Sequence, residues 1–212
     1  PYTVSLNGAS ATVEFTPSAK IMPDPATITD WDTERTFRIT SFNGQAHDYT
    51  YLVIKDEIRS KGNVELKTPA EIVSFAATGT SIIKGDLVIG SDSDNAEEIK
   101  DISALGMLKE IEGNIIIRNS YTGGTLTGLD NITTIGGLSI GSEENLAANE
   151  TLEMVSMTKL NEVTGNIHVY NNGVKFVQFD LLKAIEGDFV ISSSTLTTLQ
   201  MPELINVGGV LN

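Results

Sequence analysis

A short pattern of apolar and polar positions returns along most of the chain. An apolar residue is followed two places later by glycine, and apolar residues then occupy alternate positions. The copies lie at residues 62–66, 83–89, 111–117, 135–140, 163–169, 185–191 and 207–211. The spacings from glycine to glycine are 23, 28, 24, 28, 22 and 22 residues. A recurrence of this length with one strand in each copy is typical of a solenoid.

Each copy predicts one strand of a single parallel sheet. Side chains alternate along a strand, so the second and fourth residues after the glycine are expected to face the core. The glycine is expected to permit a sharp corner into the strand. The predicted inward residues are Leu87, Ile89, Ile115, Ile117, Ile167, Val169, Phe189 and Ile191.

A second apolar series, with a spacing of three residues, follows each polar loop. This spacing fits neither an α-helix nor an ordinary amphipathic strand, and it favours extended segments or 3₁₀-like turns on the far side of each coil. Pro202 lies within the last series and also disfavours a helix there. The series contains Ile99, Ile102, Leu105, Leu108 and Ile111; Leu126, Leu129, Ile132 and Ile135; Phe176, Phe179, Leu182 and Ile185; and Leu196, Leu199, Leu204 and Val207.

One short helix is predicted near residues 68–78. Thr68, Pro69 and Glu71 have the spacing of a capping box with proline at the first helical position. Ile72 and Phe75 then give the helix an apolar side. A solenoid exposes its core at an open end, so we expect this helix to cap the first coil.

Residues 1–56 have a different pattern. Alternating β-prone stretches at 2–6, 11–15, 36–40 and 49–54 form two pairs, with turns at Asn7-Gly8 and Asn43-Gly44. Three prolines between the pairs interrupt any long central strand. The prediction is a mainly β chain with two domains. A small antiparallel sandwich at 1–56 is followed by a right-handed parallel β-solenoid at 57–212.

Composition narrows the classes of function. The 14 basic and 28 acidic residues disfavour binding to nucleic acid, which depends on Lys and Arg replacing counterions. Absence of cysteine excludes disulfides and thiol chemistry. No apolar run reaches the ~18 residues of a membrane-spanning helix. Because the chain begins at Pro1 and ends within a repeat, we expect it to be a piece of a longer product.

Candidate chemistry is sparse. His47 and His168 fall in different predicted domains, and no nucleophile, base and orienting group can be assembled, so the sequence predicts neither an enzyme nor a cofactor. The acidic loop at 91–98 carries oxygen ligands, with Asp92, Asp94 and Glu97 as calcium candidates. The alternative is a plain solvated loop.

The outward side of the predicted sheet carries a mixed apolar and aromatic stripe. Two interpretations remain open: a contact surface for a protein or glycan, or strand-forming residues with no role in binding. The candidate binding residues are Val88, Ile116, Arg118, His168, Tyr170 and Val190.

Two resemblances follow from particular motifs. Residues 25–31, 37–44 and 49–53 resemble the second half of short immunoglobulin-like modules in surface lipoproteins of gut-type Gram-negative bacteria. The recurrent Gly-Asn or Gly-Asp before each strand, the entry at 62–72 and the segment 101–105 resemble the receptor L domain, a leucine-rich-repeat-like β-solenoid, and its cysteine-free bacterial surface versions. Receptor L domains bind partners without catalysis, and the immunoglobulin-like modules are mostly spacers.

The expectation is therefore a non-enzymatic adhesion or protein-binding module at the outer membrane of a Gram-negative bacterium, facing the exterior. The resemblance implies a lipid anchor upstream and a protein of a host or neighbouring cell as partner. The alternative is a glycan-binding component of a nutrient-uptake system.

Overall fold

The structure is a computed structural model that describes residues 5–14, 16–53, 57–147 and 149–212. These residues form two compact units, 5–53 and 57–212. The described chain is mainly β, with one α-helix and a parallel β-solenoid of about six turns.

The first unit contains one antiparallel sheet of three strands in the order β1-β2-β3. Strands β2 and β3 form the hairpin predicted around Asn43-Gly44, and Gly44 has a positive φ of 83°. The strands are β1 (Lys20–Met22), β2 (Arg35–Thr40) and β3 (Ala46–Tyr51).

The predicted first hairpin is wrong where the structure describes it. Residues 5–14 form no strand and make only an isolated bridge, from Asn7 to Asp30; residues 2–4 and Phe15 lie outside the described residues. The Asp32 carboxylate accepts the N–H of Leu6 at 3.0 Å and the hydroxyl of Ser5 at 2.9 Å, so a side chain supplies the partner that a strand would have needed. In addition to its predicted partner β3, strand β2 pairs with β1, which the sequence did not predict.

A small aromatic core supports this sheet. Trp31 stacks on Phe37 with ring centroids 6.0 Å apart, and Tyr51 meets Phe37 edge-on at 5.8 Å. The Trp31 indole N–H donates to the Ile28 carbonyl at 3.2 Å, which satisfies its one polar atom.

The second unit repeats a coil of short parallel strands. Its strands, in chain order, are β4 (Ile58–Arg59), β5 (Val64–Leu66), β6 (Thr80–Ile83), β7 (Leu87–Ile89), β8 (Glu110–Ile117), β9 (Thr134–Ile140), β10 (Met154–Ser156), β11 (Glu162–Val163), β12 (Ile167–Tyr170), β13 (Phe176–Gln178), β14 (Ala184–Ile185), β15 (Phe189–Ser192), β16 (Thr198–Gln200) and β17 (Asn206–Val207).

These strands stack in three columns. One column runs β4-β6-β8-β9-β11-β14-β17, and a second runs β5-β7-β8-β9-β12-β15. The long strands β8 and β9 belong to both columns and join them into one sheet of eleven strands. The third column, β10-β13-β16, forms a separate parallel sheet.

The core lies between these sheets, as the apolar pattern predicts. Of the predicted inward residues, all are buried except Ile191, which is half-buried in the last complete coil. In the second apolar series, the residues of the first three groups, which begin at Ile99, Leu126 and Phe176, are also buried, with one exception. Phe176 faces outward and is 38% exposed, because alternation along β13 places Val177 in the core, in register with Val155.

The predicted helix is α1 (Pro69–Ala76). The Thr68 hydroxyl accepts the Glu71 N–H, and the Glu71 carboxylate accepts the Thr68 N–H, both at 3.2 Å. Ile72 is fully buried and Phe75 is partly buried against the core of the first coils. The helix therefore shields this end of the solenoid.

The expected reason for the repeated glycine requires correction. Gly113 does not have a positive φ. A Cβ atom at this position would lie 2.5 Å from Asp86 Oδ1 and 2.6 Å from the Gly85 carbonyl carbon. The glycine is needed for close approach of the preceding coil rather than for an unusual backbone conformation.

The last coil has exposed apolar side chains. Ile205 is 85% exposed and Leu211 is 66% exposed. Strands β16 and β17 are the outermost members of their sheets in the described chain. In the described residues, no helix has the length and apolar character needed to span a membrane.

Candidate functional site

Four of the six predicted binding residues lie in one straight row on the outer side of the second strand column. The strand registers place Val88 beside Ile116, Ile116 beside Ser139, Ser139 beside His168 and His168 beside Val190. All five side chains are half-buried. We call these five residues the face row.

The other two predicted residues, Arg118 and Tyr170, lie two residues beyond Ile116 and His168 along the chain. Arg118 directly follows β8, and Tyr170 ends β12. The His168 and Tyr170 rings are neighbours on β12, with centroids 5.9 Å apart and planes tilted by 58°. The structure therefore brings the six residues onto one face, as two groups on either side of β9.

A slot separates the two groups. By strand register, Ser139 and Gly141 form its floor, with Ile116 and Arg118 on one side and His168 and Tyr170 on the other. The wall backbones are two strand spacings apart, roughly 10 Å. Gly141 has a positive φ of 66°, and a Cβ atom there would lie 2.2 Å from the Tyr170 carbonyl oxygen, so no larger residue fits this part of the floor.

The Arg118 side of the slot contains a cavity of about 110 Å³, between β8 and the loop that follows β9. His168 and Tyr170 are not among the residues that line this cavity. Polar groups predominate in its lining, which consists of Asp92, Ile116, Ile117, Arg118, Asn119, Ser139, Gly141, Ser142 and Asn145.

An ion pair borders the cavity. Arg118 Nη1 lies 2.7 Å from Asp92 Oδ2, and Asp92 Oδ1 accepts the Asn119 N–H at 3.1 Å. Both charged side chains are 45% exposed, so the pair contributes at most about 1 kcal/mol to stability. Its clearer consequence is that Arg118 is held in place at the mouth of the slot.

Buried asparagines fix the backbone beneath Arg118 and Tyr170. Asn149 Nδ2 donates to the Arg118 carbonyl at 2.7 Å, and Asn171 Nδ2 donates to the Asn149 carbonyl at 2.9 Å. Asn171 has no exposed surface, and its Oδ1 accepts the Gly173 N–H at 2.7 Å. These side-chain amides link three successive coils by hydrogen bonds, and they fix the backbone beside Arg118 and Tyr170 at the slot.

Where Asn or Asp directly follows the repeated glycine, its side chain has a structural role that sequence reasoning missed. Asp86 Oδ1 accepts the N–H of Asn114 at 2.7 Å, and Asn166 Oδ1 accepts the N–H of Asp188 at 2.7 Å. These side chains form a ladder of hydrogen bonds between coils. The recurrent Gly-Asn or Gly-Asp was the sequence signal of this ladder.

The calcium candidates are not brought together as a metal site. Asp92 is engaged by Arg118 and Asn119. Across residues 5–14, 16–53, 57–147 and 149–212, no group of three His, Asp or Glu side chains has the geometry to hold a metal ion.

A larger groove of about 530 Å³ lies in the first unit, between residues 11–13 and 20–26. Its lining is mainly apolar, with Thr12, Lys20 and Asp24 as the polar residues. The slot is the better candidate, because specific sites combine shape with a few convergent polar groups.

Comparisons of the chain with protein-family models, curated proteins and solved structures gave no match. Function is therefore inferred from the fold and from the geometry of the outer face. This geometry combines apolar, aromatic and hydrogen-bonding groups on a rigid sheet, and it is suited to noncovalent binding.

Proposed function

We propose that the chain is a non-enzymatic adhesion or protein-binding module that binds through the outer face of the solenoid sheet. The observation that carries the proposal is the face row together with Tyr170 and Arg118. Aromatic residues, arginine and apolar side chains are enriched where protein interfaces are buried. The half-buried Val88 and Ile116 side chains, adjacent on neighbouring strands, and Val190 at the other end of the row supply apolar surface for such a contact.

We further propose that the solenoid is of the right-handed, leucine-rich-repeat-like receptor L domain type. The asparagine and aspartate ladder, the buried asparagines and the capping helix support this proposal, because each device repeats or ends a stack of coils. The three-stranded sheet of the first unit is proposed to be part of an immunoglobulin-like sandwich that acts as a spacer.

The proposed location is the exterior of a Gram-negative outer membrane, with a lipid anchor upstream of this chain and a protein of a host or neighbouring cell as partner. The resemblances to bacterial surface modules support this location. The net charge of −14 is consistent with a partner other than nucleic acid.

A glycan-binding component of a nutrient-uptake system is the second candidate. It is favoured by the polar cavity beside the face row, which is lined in part by Arg118, Ser139 and Asn145. A purely apolar protein contact has no need of such a cavity.

One experiment separates the two candidates. The purified chain is applied to a panel of host surface and matrix proteins and, in parallel, to a glycan array. We expect saturable binding to one or more proteins. Binding to glycans alone would favour the second candidate, and absence of binding in both formats would contradict a recognition role.

A further inference from the structure

The outward positions of β9 differ from those of its neighbours. Gly137 and Ser139 on β9, and Gly141 directly after it, are all small, whereas the residues beside Ser139 are Ile116 on β8 and His168 on β12. At Gly137 and Gly141 the space for a side chain is filled, because Asn114 Oδ1 and the Tyr170 carbonyl oxygen lie where the Cβ atoms would be. The slot is therefore open over Ser139, with the Gly141 backbone at its border.

Several polar groups around the slot are unused by the protein. In the described part of the chain, no hydrogen bond engages the side chains of Ser139, Ser142, Asn145, His168 or Tyr170. Hydroxyl and amide groups both donate and accept hydrogen bonds. The Arg118–Asp92 pair adds a charged donor and a charged acceptor at the same place.

The electrostatics disfavour an anionic ligand. Arg118 is already neutralised by Asp92 at 2.7 Å. The loop that borders the cavity carries the exposed residues Glu143 and Glu144, and the whole chain has a net charge of −14. This field repels carboxylate and phosphate groups.

An extended peptide is also disfavoured. Peptides that add to a sheet need a free edge strand. The floor of the slot is β9, which pairs with β8 on one side and with β11 and β12 on the other. Its backbone groups are therefore not available to a peptide.

We propose that the slot binds one residue of a neutral sugar. Two neighbouring sugar hydroxyls enter the cavity between Arg118, Ser139 and Asn145, and the apolar C–H face of the ring packs against Tyr170. The cavity of about 110 Å³ is smaller than the roughly 300–1,000 Å³ of sites that enclose a drug-sized ligand, so it holds only part of the sugar. This inference rests on the proposal that the outer face is the binding surface, and it adds to the protein contact one sugar residue, carried by the partner, at the centre of that face.

The test is a titration of the chain with glucose, galactose, mannose and N-acetylglucosamine, followed by NMR chemical shifts, together with an array of neutral and sialylated glycans. We expect at least one neutral sugar to shift the amide signals of residues 139–145. Ser139→Val fills the slot with a residue that suits a strand, and we expect it to weaken binding about tenfold or more. Asn145→Ala, in an exposed loop, is expected to weaken binding severalfold.

Thr134→Val is the matched control, because Thr134 lies on the same strand in the first column, outside the slot. Its affinity should equal that of the wild type. The inference is overturned if no neutral sugar binds, if only sialylated glycans bind, or if Ser139→Val binds as tightly as the control. Retained binding to a protein partner, without sugar binding, would overturn the sugar site and leave the proposed function standing.

Discussion

At the residue scale, the repeated glycines and the polar residues after them act as one device. The side-chain oxygen of Asp86 lies over Gly113 and accepts the backbone N–H of Asn114. The same arrangement recurs further along the solenoid between two successive coils, where a Cβ atom at Gly187 would lie 2.0 Å from Asn166 Oδ1. The glycine makes room for the oxygen, and the oxygen ties two coils together.

Gly113→Ala is therefore expected to lower the free energy of unfolding by about 2–3 kcal/mol, because the new Cβ atom overlaps Asp86 Oδ1 and the Gly85 backbone. The melting temperature should fall by roughly 5–10 °C. Gly62→Ala is the control, since no atom lies within 4 Å of a Cβ built there, and its change should stay within about 0.5 kcal/mol. Equal melting temperatures for the two variants in a calorimetric scan would show that close approach is not the reason for the glycine.

Tyr121 predicts a dependence of stability on alkaline pH. Burial, and to a smaller extent the Asp101 charge, raise the pKa of its phenol, whose hydroxyl donates to the Thr125 carbonyl. The folded chain therefore retains a proton that the unfolded chain releases as the pH rises above about 10. The contribution of Tyr121 to stability is fully present below that pH and is lost as the pH rises further.

We expect the free energy of unfolding to fall with pH above about 10 more steeply in the wild type than in Tyr121→Phe, by up to about 1.4 kcal/mol per pH unit. Urea unfolding at a series of alkaline pH values measures the two slopes. Parallel slopes would mean that the Tyr121 phenol titrates alike in the folded and unfolded chains.

At the element scale, the helix and most strands follow from local sequence signals. The capping box at Thr68 and Glu71 predicted α1, and alternation after each glycine predicted the second strand column. The spacing of three residues predicted that Phe176 faces the core, and this prediction is wrong. Phe176 begins strand β13, and alternation along that strand places Val177 in the core instead. The first hairpin failed for another reason: Asp32, distant in sequence, supplies the hydrogen-bond acceptor for Leu6.

Thr68→Ala removes the acceptor for the Glu71 N–H and should cost about 1 kcal/mol, which corresponds to a fall of roughly 3 °C in the melting temperature. Val73→Ala lies on the exposed side of the same helix, where Val73 is 65% exposed, and should have little effect. Thermal denaturation followed by circular dichroism compares them. If both variants melt with the wild type, the helix does not stabilise the end of the solenoid.

At the scale of the whole molecule, the period of the glycine pattern was sufficient to predict the parallel solenoid, because each copy can bury its apolar side only against another copy. The six predicted binding residues also share one face, because side chains alternate along a strand and the third and fifth residues after each glycine point outward. The slot was not predicted. It depends on β9, whose glycine and serine positions matter only once the register with β8 and β12 is known.

The central claim is that the outer face of the eleven-stranded sheet is the binding surface. Ile116 and Phe176 are matched probes, because both are outward apolar residues on parallel strands, on two different sheets of the solenoid. An aspartate at either position adds a charge at a site that already contacts solvent, so both variants should remain folded.

The most direct measurement compares the affinities of Ile116→Asp and Phe176→Asp for the protein partner found in the binding panel. We expect Ile116→Asp to weaken binding at least about tenfold, because a charge is desolvated at the centre of the contact, and Phe176→Asp to bind as the wild type does. Wild-type affinity for Ile116→Asp, or an equal loss in both variants, would contradict the assignment of this face.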